Sequence, residues 1–335
     1  MKILVAMSGG VDSSVAAFLL KQQGHDITGC TLLLANEGAE GADEICACLG
    51  IEHVILDCRE AFRRQVVDYF LSEYENGRTP NPCVVCNEKL KFGYLLDYAK
   101  AHGFDRLATG HYASIKEYDG KLYLATTDAG KKDQSYFVHR LSKDQLSGIV
   151  FPLAPYTKDE IRKIAIENQL PSASKSDSQD VCFISGDYRD FLHEHNVFGS
   201  PGDIIYDNKV IASHIGLPNY TIGQRKIGVA WEHPLYVKKI DAKNNTLIVS
   251  NNEALFSLEC MLSDVCLTYD ASAEFSCYIK PRSVAKAEKG KVWIMENRRA
   301  RVVFDTPMRA LTPGQAAVFY TEDGRILGGG IICDE

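Results

Sequence analysis

Short apolar runs alternate with amphipathic stretches over the first hundred or so residues. Ile3–Met7, Ile27–Leu34 and Val54–Leu56 read as strands, whereas Ser13–Gln23, Ala42–Leu49 and a long Glu60–Glu75 pattern read as helices. That rhythm predicts parallel strands joined by crossover helices. A turn-rich segment, Gly77-Arg78-Thr79-Pro80-Asn81-Pro82, precedes another helical stretch from about Asn87 to His102, and Arg106–Gly110 reads as a further strand. Ser114–Tyr118 and Lys121–Ala125 form a hairpin pattern. The expected fold class is therefore α/β, an open parallel sheet. Near residue 195 the character changes to short segments rich in β-branched and aromatic residues, with turn pairs at Asp207-Asn208, Asn244-Asn245 and Asp323-Gly324. These are too many strands for one small barrel, and the polar Asn251-Asn252-Glu253 is a division point. The expectation is an α/β domain over 1–195, a small central β domain over 196–255 and a C-terminal β-barrel over 256–335.

Composition supports a folded chain of more than one domain: 335 residues, 45% hydrophobic and 24% charged. No apolar run approaches the ~20 residues needed to span a bilayer, and the N-terminal apolar stretch is too short for a signal peptide, so a cytoplasmic location without membrane attachment is expected. The 11 cysteines are odd in number and several lie in apolar runs, which predicts mostly buried thiols. A net charge of -7 means that any nucleic acid must be met by local basic patches.

The first chemistry-bearing motif is Ser8-Gly9-Gly10-Val11-Asp12-Ser13-Ser14, between the first strand and the first helix. Two adjacent glycines let backbone N–H groups converge on an anion, the serines add donors, and the helix dipole favours negative charge there. The motif lacks the Lys-Ser/Thr ending of a Walker A loop and the spaced glycines of a dinucleotide fold. Its plain structural reading is a tight turn capped by Ser13 or Asp12. The second motif is Cys83-Val84-Val85-Cys86, just ahead of the helix expected from Asn87, a setting that predicts a lowered thiol pKa for Cys86. No second such pair completes a zinc site. A third thiol, Cys182, ends the polar run Lys175-Ser176-Asp177-Ser178-Gln179-Asp180-Val181; taken alone, it is more often a core residue.

Ser8–Ser13 resembles the pyrophosphatase loop of the N-type ATP pyrophosphatases. Adding the cysteine segments, Ala108-Thr109-Gly110-His111-Tyr112-Ala113, Lys132-Asp133-Gln134-Ser135-Tyr136, Tyr220-Thr221-Ile222-Gly223-Gln224-Arg225, and Pro313-Gly314-Gln315 with Leu327-Gly328-Gly329-Gly330, the chain resembles the tRNA-specific 2-thiouridylase family along nearly its whole length. The resemblance implies ATP-dependent 2-thiolation of the wobble uridine in the tRNA anticodon arm. It implies that Ala6, Met7, Ser8, Gly9, Gly10, Val11, Asp12, Ser13, Leu32 and Gly110 line the ATP site, with Mg2+ accompanying the nucleotide. Cys182 would carry a persulfide received from a donor protein, and Cys86 would act as the resolving nucleophile and pair with Cys182 in a disulfide.

By the same resemblance Asn81, Pro82 and Cys83 meet the target base, and His111, Lys132, Asp133, Gln134, Lys280, Arg282 and Gln315 contact tRNA. An aspartate is usual where this chain has Cys83, so the acid/base role falls to another group, such as His111 or water. Alternatively, Cys83, Cys86 and Cys182 hold a [4Fe-4S] cluster with one open iron. A ligase that takes ammonia, or a non-catalytic RNA-binding or iron–sulfur sensor protein, are the other readings. The Lys131–Gln134 stretch also reads as a charge pair capping a helix. Lys280–Ser283 and Arg298-Arg299-Ala300-Arg301 are basic patches that also read as exposed hairpin faces, and Trp231 is left without a role. Cys46 and Cys48 fall on different faces of one helix.

Overall fold

The computed structural model describes residues 1–35, 38–127, 132–175, 181–269 and 271–334. Two compact units divide the chain. Met1–Val66, Cys83–Val181 and Asp323–Leu327 form the first, and Val67–Pro82, Cys182–Glu322 and Gly328–Glu335 the second.

The elements run β1 (Lys2–Ala6), α1 (Val11–Gln22), β2 (Asp26–Leu33), α2 (Glu40–Leu49), β3 (Glu52–Asp57), α3 (Arg59–Phe62), α4 (Asp68–Glu75), α5 (Pro82–Cys86), α6 (Leu95–Ala101), β4 (Arg106–Ala108), β5 (Ser114–Tyr118), β6 (Lys121–Ala125), α7 (Lys143–Leu146), β7 (Ile149–Val150) and α8 (Lys158–Glu167). A parallel sheet ordered β3-β2-β1-β4-β7 is the core of the first unit. Strand β1 has Ile3, Leu4 and Val5 fully buried, as expected of a central strand covered on both faces. Chain order reverses across β1, so its carboxyl end lies at the topological switch point, where open α/β sheets bind ligands. The expected hairpin β5–β6 has the bounds the sequence predicts.

Both long helical stretches contain a π-helical turn, at Arg63–Val67 between α3 and α4 and at Asn87–Tyr94 between α5 and α6. The second stretch also begins earlier than the sequence indicated. Pro82 sits at its first position, where a missing N–H costs nothing. Cys83 and Cys86 therefore lie within the helix rather than ahead of it.

In the second unit α9 (Tyr188–Glu194) is followed by a four-stranded sheet of β8 (Gly202–Tyr206), β9 (Lys209–His214), β10 (Tyr236–Asp241) and β11 (Thr246–Ser250), ordered β10-β11-β8-β9. Asp207 and Asn208 both take positive φ and close the β8–β9 hairpin, as that turn pair predicts. Then β12 (Phe256–Leu267), β13 (Glu274–Lys280), β14 (Glu288–Met295), β15 (Arg299–Arg309), β16 (Ala316–Tyr320) and β17 (Ile326–Cys333) close into a barrel. The α/β sheet with a small β domain and a C-terminal β-barrel is the fold class the sequence pattern indicated. Among the described residues no helix is long and apolar enough to cross a membrane.

Candidate active site

The loop after β1 is built as an anion cradle. Gly9 adopts φ +73, and Gly110 packs so closely on the loop that a Cβ there would lie 2.8 Å from the Asp12 carbonyl carbon and the Ser13 nitrogen. Gly10 is the N-cap of α1 and no side chain caps the helix, which corrects the plain reading of a cap from Ser13 or Asp12. The hydroxyls turn inward instead: Ser13 and Ser14 donate to the Gly10 carbonyl at 3.1 and 2.7 Å, and Ser8 and Ser13 hydroxyls lie 3.2 Å apart. The first amides of α1 thus remain available to a ligand, with the helix dipole behind them. Ala6, Met7 and Val11 complete the loop, and Leu32 lies on β2, the strand beside β1.

Two lysines distant in sequence converge on this loop. Lys158, the first residue of α8, donates to Asp12 Oδ1 and Oδ2 at 2.8 and 3.0 Å, and the Tyr112 hydroxyl donates to Asp12 Oδ1 at 2.7 Å. Lys175 donates to the Gly9 carbonyl at 3.0 Å. Neither lysine was picked out from the sequence, because a lysine opening an amphipathic helix reads as a solvated charge. Its clue was the Thr157–Glu160 capping box, which fixes where α8 starts.

The same unit carries Cys83, Cys86 and His111. Cys86 is buried and Cys83 partly so. Burial pushes both thiols up; Lys91 opposes this at each, and at Cys86 the neighbouring Cys83 adds to the rise. The expectation of a lowered Cys86 pKa is therefore overturned: Cys86 ends the first helical turn instead of preceding it, and desolvation outweighs the helix end. His111 is held well below the usual histidine range, first by desolvation and then by Lys91, so it is neutral. Its backbone N–H donates to Thr109 Oγ1 at 3.4 Å, and Nδ1 lies 2.7 Å from that hydroxyl. The ring packs 5.7 Å from that of Phe92. Lys91 thus acts on all three groups, five residues beyond Cys86 in the π-helical turn, a spacing that a reading at 3.6 residues per turn does not bring together. Asn87 donates to the Phe137 carbonyl at 3.0 Å and leaves its buried Oδ1 without a protein partner next to Cys86 in the chain.

Asp133 and Gln134 organise their own loop. Asp133 accepts from the backbone of Thr127 at 2.9 Å and from the Ser135 hydroxyl at 2.5 Å, and Gln134 Oε1 accepts from the Tyr112 backbone at 3.1 Å. Lys132 is exposed; Lys131 lies outside the described residues.

Cys182 belongs to the second unit and is exposed; Ser176–Asp180, immediately before it, lie outside the described residues. In that unit Gln315 donates to the carbonyls of Thr79 and Pro80 at 2.8 and 3.3 Å, and Thr79 N–H donates to Pro313 O at 2.9 Å. This fixes the segment leading to Asn81 and Pro82. Lys280 ends β13, and Arg282 follows in a turn, part-buried. Arg298 and Arg301 pair with Asp264 and Glu259 at 2.7 and 2.6 Å, so much of the densest basic run is neutralised locally. Trp231 is 43% exposed and meets Tyr206 edge-on. Cys46 is buried and Cys48 exposed, on different faces as expected. Burial of the thiols is less general than the composition suggested, since Cys48 and Cys182 are exposed. Among the described residues no three His, Cys, Asp or Glu side chains gather as a metal set.

A parallel sheet with a glycine-rich phosphate loop at its switch point, followed by two β domains, defines a nucleotide-using enzyme class with appended β modules. Residues 1–186 match the tRNA methyl transferase HUP domain, 189–251 the tRNA methyl transferase PRC-barrel domain, and 257–332 the aminomethyltransferase beta-barrel domain. Similar full-length proteins include the tRNA-specific 2-thiouridylase MnmA of Syntrophomonas wolfei, 43% identical over 99% of this chain and 100% of the relative. Those of Pelobacter propionicus (43%, 99% and 97%) and Treponema denticola (41%, 99% and 98%) are similar to the same extent. The chain belongs to the tRNA-specific 2-thiouridylase family.

Proposed function

We propose that this protein is an ATP-dependent tRNA sulfurtransferase that 2-thiolates the wobble uridine. The observation that carries the reading is the uncapped phosphate loop at the sheet's switch point in a chain aligned end to end with named 2-thiouridylases. The loop amides and Lys158 hold the triphosphate while the uridine C2 oxygen attacks the α-phosphorus and releases pyrophosphate. The terminal sulfur of a Cys182 persulfide then attacks C2, and AMP leaves with the C2 oxygen. The Cys86 thiolate attacks the Cys182 sulfur, releasing 2-thiouridine and leaving a Cys86–Cys182 disulfide, which an external thiol reduces before a persulfide donor protein recharges Cys182. The base is reached cheaply because the anticodon loop is single-stranded. Mg2+ accompanying the nucleotide would be held mainly by its phosphates, with Asp12 the carboxylate at this loop that could reach it, and would neutralise phosphate charge.

Neutral His111, partly buried beside Phe92, is suited to relay a proton in place of the usual aspartate at position 83. Asn81, Pro82 and Cys83 meet the base; Lys132, Lys280, Arg282 and the Gln315-supported segment meet the tRNA. The work divides among domains spanning 1–195, 196–255 and 256–335, in the cytoplasm. The test is incubation of the full chain with unmodified tRNA, ATP and a persulfide donor, followed by nucleoside mass spectrometry. Equal amounts of 2-thiouridine, AMP and pyrophosphate are expected; AMP formation independent of tRNA, with no thiouridine, would overturn the reading.

A further inference from the structure

We infer that His53, held by Asp43, is a positioning residue for the phosphate loop, acting through Thr31 on the Met7 carbonyl. The inference deepens the nucleotide-binding reading above and rests on it.

The Met7–Ser8 peptide is clamped on both sides. Its N–H, from Ser8, donates to Ser13 Oγ at 3.2 Å, and its carbonyl, from Met7, accepts from Thr31 Oγ1 at 2.9 Å. The orientation of this peptide plane sets the direction in which the next amides of the loop enter the anion cradle. Behind Thr31 stands His53 on β3, with Nε2 2.8 Å from the threonine hydroxyl and Nδ1 2.5 Å from Asp43 Oδ1 on α2.

Proton counting fixes the roles. A carbonyl only accepts, so Thr31 spends its one proton on Met7 and must accept from Nε2–H; a carboxylate only accepts, so Nδ1–H must donate to Asp43. The chain is fully satisfied only by a histidine carrying both ring protons. The histidine side chain is nearly buried, at 8% exposed, while Asp43 opens to solvent. The buried titratable groups on the packed elements are thiols, whereas Glu40 and Glu44 of α2, Asp26 of β2 and Glu52 and Asp57 of β3 are exposed. Cys46 of α2, which borders Gly29 together with His53, is pushed up to about 11, first by burial and then by Asp43, and Cys30 of β2 is pushed up to about 12, first by burial. Both remain protonated thiols near neutral pH. Loss of one ring proton leaves either Thr31 or Asp43 without its donor, and the clamp on Met7 loosens.

The test is calorimetric titration of the full chain with Mg2+ and ATP from about pH 6 to 8.5, the range in which histidines change charge. The wild-type Kd should rise about three- to tenfold across that range, as expected for loss of one hydrogen bond. His53→Gln should bind as weakly as the wild type at high pH and show no such slope. Identical affinity and slope in wild type and variant would overturn the positioning role alone. Absence of ATP binding by the wild type would overturn the nucleotide reading and the role together. Should His53→Gln fail to fold, Asp43→Asn at the exposed end must weaken ATP binding at the low end of that pH range, and an unchanged affinity there would overturn the inference.

Discussion

Asp12 accepts from Lys158 and Tyr112 at once, so the acid of the phosphate loop is held in one orientation by residues 146 and 100 positions away. Lys158→Met is expected to weaken ATP binding about tenfold while changing stability by no more than about 1 kcal/mol, because a partly solvated pair contributes little to folding. Calorimetry and thermal melts check the two halves separately. His111 supplies a second expectation. Its folded-state pKa is depressed, so in the window below the ordinary histidine range the unfolded chain binds a proton that the folded chain refuses. Stability is therefore intact above that range and is lost as pH falls, with a slope of at most ~1.4 kcal/mol per pH unit for one proton. Denaturant titrations of wild type and His111→Gln should converge near neutrality and diverge in acid. Candidate residues inside a compact motif, such as Ser8–Ser13 and Gly110, were legible from sequence because their chemistry depends on spacing along one segment. Lys91, Lys158, Lys175 and His53 were not, since nothing local distinguishes them from solvated or core residues until the fold brings them to the loop or the thiols.

At the scale of elements, β1 to β4 of the parallel sheet and the β5–β6 and β8–β9 hairpins could be read directly from apolar runs and turn pairs, whereas the two-residue β7 could not. The helices could be read in extent but not in winding. A π-helical turn keeps the same residues on a helical path, and the apolar pattern over Glu60–Glu75 or Asn87–His102 looks continuous through it. The misplacement of Cys83 and Cys86 ahead of their helix followed from treating Pro82 as part of a loop rather than as a first helical residue. Helix α8 offers the clearest element-scale test. Thr157 and Glu160 cap each other's backbones at 3.4 and 2.7 Å, and Lys158 is the next residue. Thr157→Ala should cost ~1 kcal/mol in a thermal or denaturant unfolding experiment and raise the Kd for ATP by loosening the start of α8.

For the whole molecule, an acidic chain that binds tRNA must do so through patches, and several basic side chains in the densest run are already paired with acids of the same barrel. The salt dependence of tRNA binding is expected to be real but shallow. A plot of log affinity against log salt should have a slope corresponding to a few phosphate contacts, and Lys280→Ala should reduce it by about one contact. The change from α/β to all-β segments near residue 195 was readable from the periodicity, whereas the return of Val67–Pro82 to the second compact unit was not. The strand-rich character of this region could be read in sequence, but the order of strands in each sheet could not, because pairing depends on contacts distant along the chain.

The central claim is that sulfur reaches the uridine by way of Cys182 after ATP activates the base. The most direct measurement is a single-turnover reaction of unmodified tRNA and ATP with persulfide-charged protein, comparing wild type with Cys182→Ala and quantifying AMP and 2-thiouridine together. The account predicts that the variant still forms AMP in a tRNA-dependent manner and yields no 2-thiouridine. Thiouridine formation by Cys182→Ala at the wild-type level would contradict it.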